Sequence, residues 1–408
     1  MGKKPPKQSS TDLSMTGYPS APVKVVHLIT LLELGGAQGN TIHTVRNLNE
    51  EKFDTYLWAG RGAYWDHEVE KDLGRKGKLL FLKSLVRDIN PFLDVIALLS
   101  LWWRLKKIQP LILHTHSSKA GILGRIAGNL AGVPIIIHTF HGFGFNDQQK
   151  PWTKWLFILL ERLTAKVSTK LLFVSVANMT QAKELKIGRP EQYALIRSGV
   201  ALQSIRKRAG AVSMTDLKKK LMIPPDANLI TTIGAFKPQK NLLDFIQVAQ
   251  SISKKSSETH FLIIGDGEMR VVIEKLIAEL NLETKVHLLG WREDIPELLT
   301  VSNVFVLTSL WEGLPRALIE SLSIGIPSVC YDTDGVRDIL SKGGGEIIPR
   351  GDMASMVSSI IELLNNKTLW NKLSQEAKNI IGQDFDIEEM VHQQENLYLS
   401  LLNLNNLP

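Results

Sequence analysis

The sequence predicts an α/β protein of two βα arrays, each built on a parallel sheet, facing one another across a cleft. Three observations predict it. At 408 residues the chain exceeds what one core ordinarily fills, since single cores stop growing near ~250–300 residues. Short apolar, β-branched runs recur with helical stretches between them, the pattern of strands joined by crossover helices. That rhythm runs twice, broken by the polar and basic stretch 201–226.

Residues 1–22 carry Lys, Ser and Pro without the apolar core of a secretory signal, and read as a disordered tail. Seven candidate strands follow at 23–30, 53–59, 79–82, 111–114, 134–140, 171–175 and 194–197, giving a first domain over 23–200. Six more, at 229–233, 260–264, 286–289, 304–307, 328–331 and 346–348, give a second domain over 201–385. The closing segment 386–408 reads as a helix that returns to the first domain. Open α/β sheets bind ligands at the carboxyl ends of their strands, so two tethered arrays share a cleft. Glycines gather at those ends: Gly35 and Gly36 after the first strand, Gly142 and Gly144 after the fifth, and Gly234, Gly265 and Gly267 in the second array. They let the backbone approach a phosphate, while a following helix N-terminus offers free N–H groups. Gly265 and Gly267 lack the third glycine of a dinucleotide fingerprint.

Composition narrows the class. With 44% apolar and 22% charged residues the chain is globular. Its single cysteine, Cys330, excludes an intramolecular disulfide, suits a reducing compartment and sits in an apolar run as a buried, inert thiol. No run approaches the ~18 apolar residues of a membrane span. The net charge of +7 hides an asymmetry: residues 1–200 carry 27 Lys and Arg against 15 Asp and Glu, residues 201–408 carry 21 against 26. In the basic half, Trp102, Trp103, Trp152 and Trp155 neighbour Arg104, Lys106, Lys107, Lys150 and Lys154. Two readings stay open, helices resting in a membrane interface or ordinary helices with their rings in the core. A nucleic-acid partner is not expected, because no aromatic-basic recognition motif accompanies the charge.

The most informative segment runs over residues 310–320, Leu-Trp-Glu-Gly-Leu-Pro-Arg-Ala-Leu-Ile-Glu. Pro315 suits the first turn of a helix, so Glu312 falls just before it and Glu320 about two turns inside. A fully helical span would separate the two by ~12 Å at ~1.5 Å per residue. That exceeds the ~5–9.5 Å of a glycosidase pair and matches the reach from a donor sugar to the ribose of its nucleotide.

Glu312-x7-Glu320, followed by Gly325-Ile326-Pro327 and by Asp334-Gly335-Val336-Arg337-Asp338, resembles the donor signature of retaining glycosyltransferases of family 4, which have the GT-B fold of two facing Rossmann-like domains. The likeness extends over most of the chain. It takes in Gly35-Gly36-Ala37, His114-Thr115-His116-Ser117, Lys119-Ala120-Gly121, Gly124-Arg125, His141-Gly142-Phe143, Ile196-Arg197-Ser198-Gly199, Phe236-Lys237-Pro238-Gln239-Lys240 and Gly265-Asp266-Gly267. The region from Lys119 to Phe145 is similar to bacterial cell-surface polysaccharide transferases.

The resemblance implies roles. Glu312 contacts hydroxyls of the donor sugar and Glu320 grips the ribose, tasks that suit a carboxylate accepting two hydrogen bonds. Gly35, Gly36, Gly265, Gly267, Leu314 and Pro315 join the donor site. Lys240 neutralises the pyrophosphate, whose charge grows in the transition state. The arginine usual just after the strand glycine is Ala235 here, and Lys237 is the obvious substitute. His141 corresponds to the active-site histidine over the donor sugar; His116, in an acceptor-side loop, and Lys119 are weaker candidates. The donor is a nucleotide-sugar, UDP being favoured by the family, and the acceptor a glycan or lipid-linked glycan. Retention is described for the family as front-face attack assisted by the leaving phosphate, so no cofactor and no metal ion is expected. Asp332-Thr333-Asp334 is the competing metal motif. Two further readings keep the same fold, a nucleotide-sugar epimerase and a non-catalytic nucleotide-sugar-binding subunit. The expected place is the cytoplasm, peripheral on the inner, anionic face of the membrane.

Overall fold

The computed structural model of the chain describes residues 21–33, 35–62, 67–146, 148–405 and 407; the predicted tail lies outside them save its last two positions. Seven strands form the first sheet: β1 (Val23–Leu32), β2 (Phe53–Arg61), β3 (Leu79–Phe81), β4 (Ile112–His116), β5 (Ile135–Phe140), β6 (Lys170–Phe173) and β7 (Tyr193–Leu195). Six form the second: β8 (Asn228–Ile233), β9 (Thr259–Ile264), β10 (Val286–Gly290), β11 (Val304–Leu307), β12 (Ser328–Tyr331) and β13 (Gly345–Ile348). Their spatial orders are β3-β2-β1-β4-β5-β6-β7 and β10-β9-β8-β11-β12-β13, with parallel pairing throughout. This is the predicted α/β architecture of two Rossmann-like sheets. Each order reverses after its first strand, between β1 and β4 and between β8 and β11, which opens a crevice at the strand carboxyl ends.

Helices cover both faces, so interior strands are buried on both sides, and β1, β4, β5 and β9 are buried along nearly their whole length because of it. Buried polar groups interrupt these runs, most of all in β4, whose last three residues are His114, Thr115 and His116; β1 adds His27, and β5 adds His138 and Thr139. The sequence-based strand ended at residue 114 because this run looks like a loop, and His116 in fact closes the strand rather than standing in an acceptor-side loop. The basic stretch 201–226 holds two short helices, Leu202–Ala209 and Met214–Lys220. Leu202, Ile205 and Ala209 recur at helical spacing and pack the first of them on the second lobe.

The chain crosses between lobes twice, side by side. The Val200 N–H donates to the Phe385 carbonyl and the Ile387 N–H to the Val200 carbonyl. After that crossing the helix Ile387–Leu404, capped by the Asp386 carboxylate, lays Met390, Val391, Tyr398 and Leu401 against Val23, Val25, Phe53, Ile112 and Ile135 of the first sheet. Within the first lobe the helices Pro91–Ile108 and Pro151–Ala165 flank the helix Ser118–Ala131. A buried Arg125–Glu161 ion pair at 2.5 Å ties Ser118–Ala131 to Pro151–Ala165. The outer helices turn apolar side chains outward: Phe92 is 75% exposed, Trp103 57%, Trp152 63% and Trp155 62%. Core placement of these rings is therefore overturned. No described helix is long and apolar enough to cross a membrane.

Candidate active site

The two crevices meet in one cleft of about 640 Å³. Gly35, Gly36, His141 and Ser198 line it from the first lobe; Gly234, Lys237, Lys240, Trp291, Glu312, Leu314, Pro315, Arg316 and Glu320 line it from the second. Most of the predicted donor residues are thus brought together. The loop after β11 is stitched to the turn Pro238–Lys240: Thr308 Oγ1 donates to the carbonyls of Lys240 and Asn241 at 3.0 Å, and the Leu310 N–H donates to Gln239 O at 2.8 Å. This stitching sets Lys240 Nζ 2.5 Å from Glu312 Oε1. Across the cleft, a Cβ on Gly313 would stand 1.9 Å from the His141 carbonyl oxygen. Only glycine lets the second lobe rest on the backbone of His141 and Gly142.

The helix Arg316–Ser323 starts one residue after Pro315, whose backbone is extended, so Glu320 lies about one turn inside rather than two. Burial holds the Glu320 carboxyl above its ordinary value, and the Arg316 guanidinium 3.9 Å away acts against that shift. Arg316 escaped the sequence reading although its i,i+4 spacing to Glu320 was visible. It reaches over the cleft to the Gly36 carbonyl at 3.4 Å, and its buried Nε has no hydrogen-bond partner among the described residues. Lys237 Nζ lies 3.4 Å from Glu33, a carboxylate that Arg87 also engages. Trp291, on the loop after β10, adds an aromatic ring to the wall, 39% exposed.

Other predicted residues stand elsewhere. Gly265 and Gly267 are not among the residues lining the cleft; they let the loop after β9 press on residues 234–236, where a Cβ at Gly265 would stand 2.1 Å from Gly234 O. Lys119 is turned to the helix Pro91–Ile108, bonding Asp94 Oδ1 at 2.6 Å and the Asp88 carbonyl. His116 is buried behind His141, with His116 Nδ1 3.1 Å from His141 Nε2. Burial lowers the His141 imidazole to about 4, so the ring is neutral near pH 7.

A second cavity, about 700 Å³, adjoins the first and is lined by Gly142, Phe143, Phe145 and Lys154 of one lobe and by Trp311, Glu312, Asp332, Asp334, Arg337 and Arg350 of the other. Glu312 lines both cavities. Asp332 accepts a forked bond from Arg337, and burial raises the Asp334 carboxyl. Among the described residues, the group of three or more whose ligand atoms are spaced for a metal is His27, His114 and His116, all buried in the first lobe.

Comparison with known proteins agrees with the two-domain fold. A family model for glycosyl transferases group 1 matches residues 213–380, and one for a glycosyl transferase 4-like domain matches residues 35–199. Over 390 residues the chain is 33% identical to the UDP-Gal:alpha-D-GlcNAc-diphosphoundecaprenol alpha-1,3-galactosyltransferase of Escherichia coli, covering 93% of this chain and 97% of that one. It is 22% identical over 385 residues to the capsular polysaccharide biosynthesis glycosyltransferase CapM of Staphylococcus aureus, again covering 93% and 97%. Among solved structures, Anabaena Alr3699/HepE in complex with UDP superposes with a TM-score of 0.74 at 18% identity, covering 93% of this chain and all of that one, a likeness of fold.

Proposed function

Because the chain belongs to the family 4-type glycosyltransferases of GT-B fold, with relatives in polysaccharide and lipid-linked glycan synthesis, we propose that it moves a hexose from a UDP-sugar to a lipid-diphosphate-linked glycan, with retention and without a metal ion. The observation that carries this reading is the place of Glu312, at the shared wall of the two cavities. A donor in the first cavity sets its glycosyl carbon beside Glu312 and His141, its ribose at Glu320 and its diphosphate among Lys240, Lys237 and Arg316. Trp291 stacks on the base. An acceptor in the second cavity then meets the same carbon. Cations preorganised around the diphosphate stabilise the charge that grows on the leaving group. The leaving phosphate oxygen takes the acceptor proton on the face it vacates, which retains configuration without a separate base.

The first lobe acts as the acceptor domain. The exposed Trp152 and Trp155 belong to the helix whose Lys154 lines the acceptor cavity, and Trp103 lies under the ammonium of Lys107 at 5.5 Å on the other outer helix. Apolar rings beside lysines suit an anionic bilayer, where a lipid-linked acceptor resides.

The test supplies UDP-galactose, the donor named for the E. coli relative, with a short-chain lipid-diphosphate GlcNAc acceptor in the presence of EDTA. UDP release that needs the acceptor, and an α-linked product by NMR, are the expected results. Activity lost to EDTA, or an inverted product, refutes the corresponding part. Conversion of the donor sugar without acceptor turns the reading to an epimerase. Binding to phosphatidylglycerol vesicles should fall with added salt and with the double variant Trp152→Ser, Trp155→Ser; binding indifferent to both refutes the docking.

A further inference from the structure

Behind His141 the first lobe holds one unbroken hydrogen-bonded string. His141 Nε2 is 3.1 Å from His116 Nδ1, and His116 Nε2 is 3.1 Å from His27 Nδ1. His27 Nε2 is 3.4 Å from the Tyr398 hydroxyl, which is 2.5 Å from His114 Nδ1, and His114 Nε2 is 2.7 Å from Thr139 Oγ1. β1, β4 and β5 with its following turn supply the histidines and the threonine, and the last helix of the chain supplies Tyr398. His138 stands aside, its Nδ1 2.9 Å from Thr115 Oγ1.

Every member is neutral near pH 7. Burial lowers His27 to about 3 and His141 to about 4, holds His114 and His116 well below the ordinary histidine value, and holds the Tyr398 phenol well above its own. A neutral imidazole has one N–H and one bare nitrogen. His116, His27 and His114 each use both nitrogens inside the string, so fixing one proton fixes all of them, in one of two head-to-tail senses.

Tyr398 selects the sense. Its short contact, to His114, is that of a phenol O–H donating to an imidazole nitrogen, and its long contact, to His27, is that of an N–H reaching the phenol oxygen. His27 then carries its proton on Nε2 and accepts at Nδ1 from His116. His116 accepts at Nδ1 from the Nε2–H of His141. The lone pair stays on His141 Nδ1, a buried atom with no hydrogen-bond partner among the described residues, on a ring that lines the donor cleft.

We propose that this string is a positioning device that holds His141 as its Nε2–H tautomer and leaves Nδ1 as the acceptor for a hydroxyl of the bound sugar, with Tyr398 on the final helix setting its sense. The inference rests on the proposed donor site for the identity of the hydroxyl, and not for the tautomer. Tyr398, His27 and His116 act through His141, as positioning residues.

The test labels histidine with ¹⁵N and reads the ring nitrogens of His141 by long-range proton–nitrogen correlation in the free protein, the signals being assigned with His141→Asn. The expected result is one tautomer, with Nε2 protonated. Tyr398→Phe keeps the ring and deletes the hydroxyl; it should mix the tautomers and lower kcat for UDP-galactose about tenfold, near 1.4 kcal/mol, while donor KM stays within about twofold. Should that variant fold poorly, Thr139→Ser and Thr139→Val make the same comparison at the far end, Ser behaving as wild type and Val as Tyr398→Phe. A His141 protonated on Nδ1, or both deletions leaving tautomer and kcat unchanged, overturns the proposal. Stoichiometric uptake of added Zn²⁺ that depends on His27 and His114 also overturns it, because coordination consumes the bare nitrogens. If the tautomer responds as stated and UDP-galactose is not turned over, the donor assignment fails and the string stands.

Discussion

Mild acid should unfold the first lobe well before the second. Five of its histidines, His27, His114, His116, His138 and His141, have imidazoles lowered chiefly by burial. In the unfolded chain each titrates near ~6.5. The native state therefore binds fewer protons than the unfolded one, and stability falls as pH drops below ~6.5 until the folded values are reached, about 4 for His141 and about 3 for His27. Between pH 7.5 and 5.5 each such histidine removes ~1.4 kcal/mol. His27 and His141 together remove ~3 kcal/mol, and His114, His116 and His138 act in the same direction, against a total of ~5–15 kcal/mol for a folded domain. In the second lobe only two histidines, His260, lowered to about 4, and His287, work in the same direction, and Glu320, whose carboxyl is raised, works in the opposite one. Urea unfolding followed by tryptophan emission suits the assay, since six of the nine tryptophans precede residue 200. The midpoint of the first-lobe transition should fall by ~1 M or more over this range, at ~1–3 kcal/mol per M. A fall of less than ~0.5 M would refute the argument that these rings are buried neutral.

Three further outcomes follow from the cleft. Arg316→Ala should lower kcat/KM by ~10–100-fold, the range of a lost hydrogen bond to a charged group, with Arg316→Lys recovering part of it; an unaltered value would leave Lys237 and Lys240 as the whole diphosphate site. Trp291→Ala should raise donor KM by ~1–3 kcal/mol equivalent with little change in kcat, as loss of base stacking does, and an effect confined to kcat would remove Trp291 from that role. Gly313→Ala puts a methyl group onto the His141 carbonyl, so the lobes should sit further apart by small-angle scattering and turnover should collapse, while each lobe keeps its unfolding midpoint. Full activity in that variant would show that close contact at residues 141 and 313 is not needed.

Much of this was legible in the sequence because it is periodic. The apolar runs of both arrays are strands within a few residues, since double-sided burial in a parallel sheet demands continuous apolar chain. Glu312, Glu320, Lys240 and His141 were legible as motifs, and they meet because the segments after β5, β8 and β11 that carry them open on one cleft. What escaped depends on contacts between distant residues. Arg316 looks like a helix surface charge until Gly36, 280 residues away, is placed beside it. After the strand 111–114, Thr115 and His116 read as a polar loop, and only partners such as His27 and His141 show that the buried strand runs on to His116. The tryptophans of the two outer helices allowed core or interface, because helical spacing alone does not say which face meets the sheet. Ala235 gave no hint that a guanidinium from another element stands in the same cleft.

The central claim is that a sugar nucleotide lies between the lobes with its charge met by Lys240, Lys237 and Arg316. A crystal structure with UDP bound tests it most directly. The account predicts the diphosphate at the start of the helix Arg316–Ser323, the ribose hydroxyls on Glu320 and the uracil against Trp291. A diphosphate bound outside that cleft, or a ribose out of reach of Glu320, would contradict it.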